Sequence, residues 1–394
     1  MEFDVIIVGG GPAGASAGVH LAAAGARVLL AERERFPREK LCGEFISPEC
    51  LEHFARLGVL GRMEEGGGAR VSETVFYAPS GRGVSVPSAW FGAAAGDALG
   101  LSRAEMDARL LARAREAGVT VVEEAALAGV VYEGGAVRGV RLHADGGGTR
   151  EFRAAVTLDA TGRQRAVVRR AEREAGREAR GRGEGRGRLV AFKAHLEGAR
   201  GARGVCEIYF YPGGYGGLSP VEGGLSNLCF IARARDVRGR GSDAARVVRE
   251  VLMRNRRAAE TLRDACARTR WLGVSIESFG RYEPAPFRGL LAVGDAAAFI
   301  DPFTGSGMLM ALEGGEVAAA AVAGRLARGV DFRALAREYR ALYAGRFGAR
   351  LRVCGLLRRA ALAPAPLAEL SVAALGASAA LRRRLARSTR GRAA

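Results

Sequence analysis

A glycine-rich turn between two short apolar runs constrains the fold of this chain more than any other feature. Residues 3–8 form an apolar run typical of a buried parallel strand, and the sequence GGGPAG follows directly at 9–14. A helix pattern over 15–24 stops at Gly25, and a second apolar run over 27–31 ends in an acid. The spacing predicts a complete strand–helix–strand unit at the start of the chain.

Each glycine of the Gly9-x-Gly11-x-x-Gly14 pattern has its own physical task. Gly9 allows a tight turn, Gly11 lets the backbone approach a pyrophosphate, and Gly14 lets helix and strand pack closely. The helix N-terminus adds free N–H groups and a partial positive charge for the phosphates. Glu32 follows Gly14 by 18 residues, at the end of the second strand, where a carboxylate accepts ribose hydroxyls. The unit is predicted to bind a dinucleotide.

A second motif, far down the chain, selects the flavin dinucleotide over the nicotinamide one. Gly294 and Asp295 follow an apolar run over 290–293, and the chain continues into PFTGSG at 302–307. With these residues the chain resembles the glutathione-reductase-type flavoproteins, within the superfamily of flavin hydroxylases, flavin halogenases and geranylgeranyl reductases. The resemblance implies that Asp295 binds the ribityl chain of FAD. It also implies that a helix start presents N–H groups to the reduced flavin ring, from Gly305, Ser306 and Gly307.

Two shorter motifs extend this resemblance. Arg103 begins an Arg-x-x-x-Asp-x-x-x-Leu pattern, which in the superfamily contacts FAD near its phosphates or adenosine half. Cys42 lies in KLCGE at 40–44, similar to the Cys-Gly segment that lies beside the flavin in geranylgeranyl reductases. Cys42 is then a proton donor or a substrate-positioning residue, and the alternative is a buried inert thiol. The predicted FAD-binding residues are Gly9, Gly11, Pro12, Ala13, Gly14, Glu32, Arg33, Cys42, Gly43, Arg103, Gly162, Gly294, Asp295, Pro302, Gly305, Ser306, Gly307 and Met308.

The chain departs from the hydroxylase pattern at one strand end. Flavin hydroxylases that take hydride from NADPH carry Ala-Asp-Gly-x-x-Ser, whereas Thr161 and Arg165 stand here in place of the Asp and the Ser. Gly162 is retained, and the resemblance places it against the FAD pyrophosphate. The departure argues against a hydroxylase-type response to NADPH. NAD(P)H or another reductant stays open as the electron donor.

A second departure concerns the wall of the substrate pocket. Geranylgeranyl reductases carry Tyr-x-Trp-x-Phe-Pro on the far side of the flavin. This chain keeps Tyr215 and Pro220 but has Gly217 for the Trp and Ser219 for the Phe. The pocket is therefore predicted to be wider or differently shaped, with Tyr215 as the second candidate catalytic residue. The Trp-x-Trp segment of flavin halogenases is absent, so halogenation is not expected.

The resemblance implies an α/β fold: a doubly wound, Rossmann-like FAD-binding domain of the glutathione-reductase type. An antiparallel α+β substrate domain is expected to be inserted into it, with helices at the C-terminus. The FAD-binding domain is predicted to comprise residues 1–70, 96–170 and 281–330. The substrate domain is predicted to comprise residues 71–95 and 171–280, followed by a basic helical region over 331–394.

The pattern between these motifs gives coarser predictions. Alternation over 128–158 between glycine turns predicts a small antiparallel meander. Residues 172–188 are rich in Arg, Glu and Gly, and we predict a loop there. Residues 189–232 look strand-rich and residues 243–268 helical.

The net charge of +18 would suit a nucleic-acid-binding protein, but its distribution argues against one. Residues 331–394 hold 14 Arg against three acids, so most of the excess belongs to the C-terminal helices. An apolar face lies beside that charge. It is predicted to pack on the protein itself or, alternatively, to make peripheral contact with an anionic membrane. The residues of this face are Leu335, Tyr339, Leu342, Phe347 and Leu351.

Several protein classes are excluded by composition. Six Cys in 394 residues form no C-x-x-C pair, and the four His have no ligand spacing, so neither a disulfide scaffold nor a metal site is predicted. Acids at Glu2 and Asp4 contradict a signal peptide, and a cytoplasmic location is expected.

The leading hypothesis is an FAD-dependent oxidoreductase acting on an apolar small molecule. As in geranylgeranyl reductases, reduced flavin would deliver hydride to a carbon–carbon double bond, with a proton from Cys42, Tyr215 or water. The alternatives are a flavin monooxygenase and an FAD-binding protein that works at a membrane surface without turnover. The oligomeric state stays open.

Overall fold

The computed structural model describes residues 2–91, 96–143, 147–177, 189–276, 279–326, 329–362 and 364–390. In these ranges the strands are β1 (Val5–Val8), β2 (Val28–Ala31), β3 (Phe45–Ile46), β4 (Ala69–Val71), β5 (Glu73–Tyr77), β6 (Gly83–Pro87), β7 (Ala98–Gly100), β8 (Thr120–Val122), β9 (Leu127–Glu133), β10 (Ala136–His143), β11 (Thr149–Arg153), β12 (Val156–Asp159), β13 (Leu189–Glu197), β14 (Val205–Tyr211), β15 (Gly214–Pro220), β16 (Ser226–Arg233), β17 (Cys266–Ala267), β18 (Leu272–Ile276), β19 (Gly280–Arg281), β20 (Leu290–Ala292) and β21 (Ala298–Phe299). The α-helices are α1 (Pro12–Ala23), α2 (Pro48–Arg56), α3 (Leu60–Glu65), α4 (Arg103–Glu116), α5 (Ala166–Glu174), α6 (Ala234–Arg238), α7 (Ala244–Glu250), α8 (Arg256–Thr261), α9 (Gly307–Leu326), α10 (Phe332–Ala361), α11 (Ala365–Ala377) and α12 (Ala379–Ser388).

A five-stranded parallel sheet forms the centre of the molecule, in the order β20-β12-β1-β2-β8. Every residue of β1, β2 and β12 is buried, as expected for parallel strands covered on both faces. The predicted strand–helix–strand unit is confirmed, although α1 begins at Pro12 rather than at residue 15. Proline suits this first helical position because its missing N–H would have no helical partner.

The alternating segment 128–158 is divided between two sheets. β9, β10 and β11 form an antiparallel meander, as predicted, but β12 leaves it and joins the parallel sheet beside β1. The loop predicted over 172–188 begins later than expected because α5 extends to Glu174. Residues 178–188 lie outside the described part of the chain.

A large sheet of eight strands lies over the cavity described below. Its order is β17-β13-β16-β15-β14-β5-β6, with β18 paired to β13 along the same edge as β17, and only the β14–β5 pairing is parallel. The strands β5 and β6 come from an early part of the chain, whereas the others lie between residues 189 and 276. The segment predicted to be helical, 243–268, forms α7 and α8 on this sheet and ends in the short strand β17.

Helices α1 and α9 pack so closely that side chains are nearly absent between them. A Cβ atom on Gly315 would lie 2.5 Å from the carbonyl oxygen of Ala13 and 2.8 Å from the amide nitrogen of Ala17. Ser16 Oγ donates a hydrogen bond of 2.9 Å to the carbonyl oxygen of Leu312 across the same contact. The contact brings the N-terminal ends of both helices to one side of the parallel sheet.

The C-terminal helices pack on the body of the protein. Leu335, Tyr339, Phe347 and Leu351 of the predicted apolar face of α10 are buried, while Leu342 is 43% exposed. Of the described helices, α9 is long and apolar enough to cross a membrane by length and composition. It is nevertheless 67% buried over its most apolar stretch, as the core helix of a globular protein would be.

Two ion pairs join α9 to α10 and differ in burial, which leads to a first prediction. The buried Glu313 carboxylate accepts from Arg350 (2.6 Å) and Arg346 (2.7 Å), whereas Glu338 and Arg325 are about one-third exposed and lie 2.7 Å apart. Glu313→Ala leaves a buried guanidinium uncompensated and should lower the free energy of unfolding by about 3–5 kcal/mol.

The matched control, Glu338→Ala, should cost about 0–1 kcal/mol because water screens an exposed pair. Urea unfolding followed by circular dichroism measures both values. Equal losses in the two variants would contradict the assignment of Glu313 as the buried anchor.

Candidate active site

A cavity of about 810 Å³ lies between the carboxyl edge of the parallel sheet and the large sheet. Its walls bring together residues from almost the whole length of the chain, from Val8 to Arg390. Of the predicted site residues, Gly14, Gly294 and Ser306 do not line it. The predicted site residues that do are Gly9, Gly11, Pro12, Ala13, Glu32, Arg33, Cys42, Gly43, Arg103, Gly162, Tyr215, Asp295, Pro302, Gly305, Gly307 and Met308.

The glycine turn has the geometry that its spacing predicts. Gly9 has a φ of +108°, and a Cβ atom there would overlap the carbonyl oxygen of Ala160 on the neighbouring strand. A Cβ atom on Gly14 would overlap the carbonyl oxygen of Gly9, so this glycine serves packing between helix and strand. Gly11 faces open space instead, and the nearest groups to its Cβ position are the guanidinium groups of Arg38 (3.8 Å) and Arg103 (3.9 Å).

One buried carboxylate holds both of these cations. Asp107 is fully buried and accepts from Arg103 Nε (2.9 Å) and Nη2 (2.7 Å), and from Arg38 Nη1 (2.8 Å). Burial opposes the charge on Arg103, but Asp107 and Cys42 outweigh it and raise the Arg103 pKa, so the guanidinium stays charged. Two fixed cations beside the N-terminus of α1 make a cradle for a pyrophosphate. Arg38 was not found in the sequence because 58 Arg give it no distinguishing context.

Glu32 is held at the end of β2 by the backbone. Its Oε2 accepts from the N–H of Gly10 (2.7 Å) and its Oε1 accepts from the N–H of Glu34 (3.1 Å). Each oxygen has capacity for a second hydrogen bond, and Glu32 lines the cavity, which suits the predicted bonds to ribose hydroxyls. Arg33 next to it donates to Gln164 Oε1 at 3.0 Å and lines the same part of the cavity.

The segment after β12 is ordered by another buried carboxylate. Asp159 Oδ1 accepts from the Thr161 hydroxyl (2.6 Å) and N–H (3.0 Å), and Oδ2 accepts from the N–H of Val168 (3.0 Å). Thr161 therefore supports the turn itself, and Gly162 forms part of the cavity wall with a φ of +68°.

Asp295 lies half-buried in the wall, at the end of β20. Burial raises the pKa of its carboxyl to about 6, although the charges of Arg103, Lys40 and Arg163 act in the opposite direction. Gly294 before it packs against the Cβ of Ala13 rather than facing the cavity. Ionising this carboxyl in the cavity wall costs free energy, and hydrogen bonds from the hydroxyls of a bound ligand would reduce that cost.

The turn before α9 also faces the cavity. Asp301 caps it by accepting from the N–H of Phe303 (3.0 Å), and Gly305 has a φ of +60°. Ser306 is buried on the other side of the turn, with its hydroxyl 3.3 Å from the carbonyl of Thr304 and 3.1 Å from that of Thr389. Its side chain therefore joins the turn to the segment after α12, while the predicted donor to the ring is the Ser306 N–H, which these contacts do not involve.

The two candidate catalytic residues lie in different surroundings. The Cys42 thiol is half-buried beside Arg103, and its Sγ accepts from the N–H of Glu44 at 3.5 Å. Tyr215 is buried, and its hydroxyl donates to Asp301, the residue that caps the turn. Burial first, and the nearby Asp301 charge second, raise the Tyr215 pKa well above its ordinary value. The phenol thus stays neutral and braces the turn.

The rest of the wall is apolar. Phe303 contacts Phe76, Phe210 and Tyr215 with ring centroids 5.8, 5.6 and 5.4 Å apart. A Cβ atom on Gly217 would lie only 3.0 Å from Ile208 Cδ1, so the Ile208 side chain already fills the space beside this glycine. Ser219, the other position that departs from the reductase pattern, does not line the cavity.

The C-terminal helices close the cavity, which the sequence did not indicate. Ala368, Val372 and Leu375 of α11 line its apolar end. Beyond α12, the Arg390 guanidinium lies 3.3 Å from the carbonyl oxygens of both Thr304 and Gly305. The basic helical region predicted over 331–394 therefore holds the turn at the start of α9.

A buried charged cluster was also missed. Lys193 and His195 alternate on β13 and both contact Glu44, with Lys193 reaching Glu39 as well. The signal was the Lys-x-His alternation, which places both side chains on one face of a strand.

The phosphate cradle and the acid-bearing strand ends fit FAD and define a flavoprotein. A profile of the FAD binding domain family matches residues 2–325. Digeranylgeranylglycerophospholipid reductase 2 of Methanopyrus kandleri is 31% identical over 341 residues, which are 82% of this chain and 78% of that protein. The chain belongs to the FAD binding domain family and, within it, to the geranylgeranyl reductase group. It is an FAD-dependent oxidoreductase.

Solved structures show the same fold. A flavin-dependent brominase has a TM-score of 0.80 at 21% identity, over 98% of this chain and 94% of that chain. A geranylgeranyl bacteriochlorophyll reductase-like protein from Thermoplasma acidophilum has a TM-score of 0.79 at 22% identity, over 98% of this chain and 95% of that chain. At these identities the likeness concerns the fold alone.

The raised pKa of Asp295 gives a second prediction. In the apoprotein the charged carboxylate opposes folding, so this cost is absent below about pH 4, grows toward the folded pKa of about 6 and is complete above it. Asp295→Asn should therefore raise the melting temperature of the apoprotein at pH 7.5, with no gain at pH 4, and should weaken FAD binding.

Asp331→Asn is the control. Asp331 caps α10 through the N–H groups of Arg333 and Ala334, which lower its pKa, so its loss should destabilise the protein at pH 7.5 and leave FAD affinity unchanged. Calorimetry and flavin titration measure both effects. Unchanged FAD affinity in Asp295→Asn would contradict the assignment.

Proposed function

We propose that this flavoprotein reduces carbon–carbon double bonds in an apolar, isoprenoid-like small molecule. The observation that carries the proposal is the polarity of one continuous cavity. One end holds the paired cations Arg38 and Arg103, and the other end is a closed apolar wall with Phe76, Phe210 and Phe303. The relative from Methanopyrus kandleri is named as a reductase of a digeranylgeranyl lipid, which supports the same reaction class here.

We further propose that the large sheet, with α6, α7 and α8, is the substrate domain. This division is supported by the apolar side chains that β5, β6 and β14 direct into the cavity from one face. Bound FAD, once reduced by NAD(P)H or another donor, would supply hydride to the substrate. The chain itself must then hold the double bond in place, exclude water and provide a proton.

Cys42 is the better proton donor of the two candidates. Its thiol lies in the cavity wall next to the segment that carries the cations, whereas the Tyr215 proton is already directed to Asp301. Tyr215 instead positions the turn at the start of α9. The apolar wall of Phe76, Phe210 and Phe303 suits a hydrocarbon chain.

The third prediction tests reaction class and proton donor together. With the bound flavin reduced under nitrogen, a geranylgeranyl compound should reoxidise it without O₂ and gain hydrogen at its double bonds, as mass spectrometry would show. Cys42→Ser should slow this step by about 10²-fold, the lower end of the usual contribution of general acid catalysis.

The exposed thiol of Cys266 is the matched control, and Cys266→Ser should react at the normal rate. A requirement for O₂, with an oxygenated product, would instead establish the monooxygenase and overturn the reductase. Equal rates in both serine variants would reassign the proton donor.

We also propose a cytoplasmic protein that makes peripheral contact with an anionic membrane. Among the described residues, the exposed large apolar side chains all belong to α10, α11 and α12, next to exposed arginines such as Arg383 and Arg384. The inner face of α11 lines the apolar end of the cavity, so the same helices would connect it to a lipid phase. All six Cys are unpaired, which suits a reducing compartment. The exposed apolar residues are Leu342, Leu356, Leu367, Leu370 and Leu381.

The fourth prediction concerns this surface. The protein should float with vesicles containing phosphatidylglycerol and should not float with neutral phosphatidylcholine vesicles. Leu367→Gln with Leu370→Gln, both more than half exposed, should abolish flotation and leave the melting temperature unchanged. Flotation of the double variant at the level of the parent protein would exclude α11 as the contact.

A further inference from the structure

A buried group of four ionisable side chains lies beside Cys42. The Glu44 carboxylate is fully buried, and its Oε1 accepts from Lys193 Nζ (2.6 Å) and from the N–H of Arg103 (2.8 Å). Its Oε2 lies 2.6 Å from His195 Nε2. Lys193, itself 1% exposed, also donates to Glu39 Oε2 at 2.6 Å, and Glu39 is 41% exposed at the surface. One carboxylate thus ties the segment 42–44 to the large sheet and to the first residue of α4.

These contacts come from one face of two neighbouring strands. His195 on β13 pairs in register with Asn227 on β16, and Lys193 pairs with Cys229. Asn227 Nδ2 donates to the carbonyl oxygen of Cys42 at 3.0 Å. The sheet therefore holds both ends of the Cys42–Glu44 segment, one by its backbone and the other by its carboxylate.

The backbone of Glu44 is held in an unfavourable conformation. Its φ is +54°, in the left-handed region, which is costly for a residue with a Cβ. In this conformation the Glu44 N–H reaches Cys42 Sγ at 3.5 Å while the carboxylate reaches Lys193 and His195. The ion pairs compensate for a strained turn whose effect is to place a thiol in the cavity wall.

The cluster is neither a metal site nor a proton relay. Ligand atoms of Glu39, Glu44 and His195 lie within 4.8 Å of one another, but the Lys193 ammonium already occupies the cation position between the two carboxylates. Burial would raise the Glu44 pKa, yet the His195 hydrogen bond and the Lys193 charge outweigh it and lower that pKa. Burial likewise opposes the Lys193 charge, but Glu44 and Glu39 raise its pKa. Both groups stay charged, which is the behaviour of an anchor.

We propose that Lys193 is a positioning residue that, with Glu44 and His195, fixes the location of the Cys42 thiol in the cavity. A packed apolar cluster of the same volume would serve stability as well or better, because two buried charges lose their hydration. The ion pairs instead determine the orientation of the Glu44 side chain, and they hold its backbone in a turn that apolar contacts would not stabilise specifically. This inference rests on the proposed reductase for its purpose, but its geometry concerns Cys42 alone.

The test measures Cys42 without substrate, in the purified holoprotein. Peptide-resolved mass spectrometry would follow alkylation of Cys42 by iodoacetamide between pH 6 and 10. Lys193→Met should change the rate by about tenfold or more and alter its pH profile, since a displacement of about 1 Å is enough to change reactivity on that scale. Lys193→Arg should restore most of the parent behaviour.

The matched control removes another buried ion pair of the same sheet. Glu207 on β14 is fully buried and accepts from Arg257 at 2.7 and 3.0 Å, without contact to Cys42. Glu207→Gln should lower the melting temperature and leave Cys42 alkylation unchanged. His195→Gln, which keeps a hydrogen-bonding group, gives a second measurement if Lys193→Met does not fold.

Two results would overturn the proposal. One is an unchanged Cys42 pH profile in Lys193→Met and His195→Gln, alongside a lowered melting temperature, because the cluster would then serve stability only. The other is a stoichiometric transition metal in the parent protein that is lost on substitution of His195. Failure of the reductase function would leave the alkylation result intact, so the two hypotheses fail separately.

Discussion

The contact between α1 and α9 is the constraint on which the cofactor site depends. Ser16 and Leu312 are 296 residues apart in the sequence, yet they are hydrogen-bonded across this contact. The helices approach so closely only because Gly315 lies against the backbone of α1. Their N-terminal ends therefore reach the same cavity, where one carries the glycine turn and the other the turn before Gly307. Each end offers unpaired N–H groups to an anionic ligand.

The cavity at the N-terminal ends of these two helices is polar at one end and apolar at the other. Asp107 fixes the guanidinium groups of Arg38 and Arg103 at the phosphate end. Burying these charges costs hydration, and the hydrogen bonds that both arginines donate to Asp107 offset this cost. At the far end, the phenylalanine cluster and the inner face of α11 present mainly hydrocarbon. Cys42 lies between the polar and the apolar end of the cavity, on a segment that Lys193 and His195 of the large sheet hold through Glu44. A dinucleotide bound at the polar end and an apolar substrate bound at the other end therefore meet in one orientation.

The positions of the arginines in the C-terminal helices change the interpretation of the protein's positive net charge. Their arginines first suggest a surface for an anionic partner. Two of them are buried instead: Arg390 donates to the carbonyl oxygen of Thr304 in the cavity wall, and Arg350 donates to Glu313 of α9. Other arginines of the same helices remain exposed beside leucines. The same short region thus closes the cavity on its inner face and presents a basic, apolar surface on its outer face.

The sequence by itself determined the strand–helix–strand unit, the flavin motifs and the family, because turn glycines and strand-end acids are local requirements of backbone geometry. It missed the start of α1, the transfer of β12 into the parallel sheet and the inward-closed C-terminus. It predicted that the N–H of Ser306 faces the ring, and only the tertiary structure shows that the hydroxyl of the same residue lies 3.1 Å from the carbonyl oxygen of Thr389. The Lys-x-His alternation places Lys193 and His195 on one face of a strand, but no local signal joins them to Glu44, which is 149 residues from Lys193. Pairing across strands and burial decided these contacts, and both arise only when distant segments pack together.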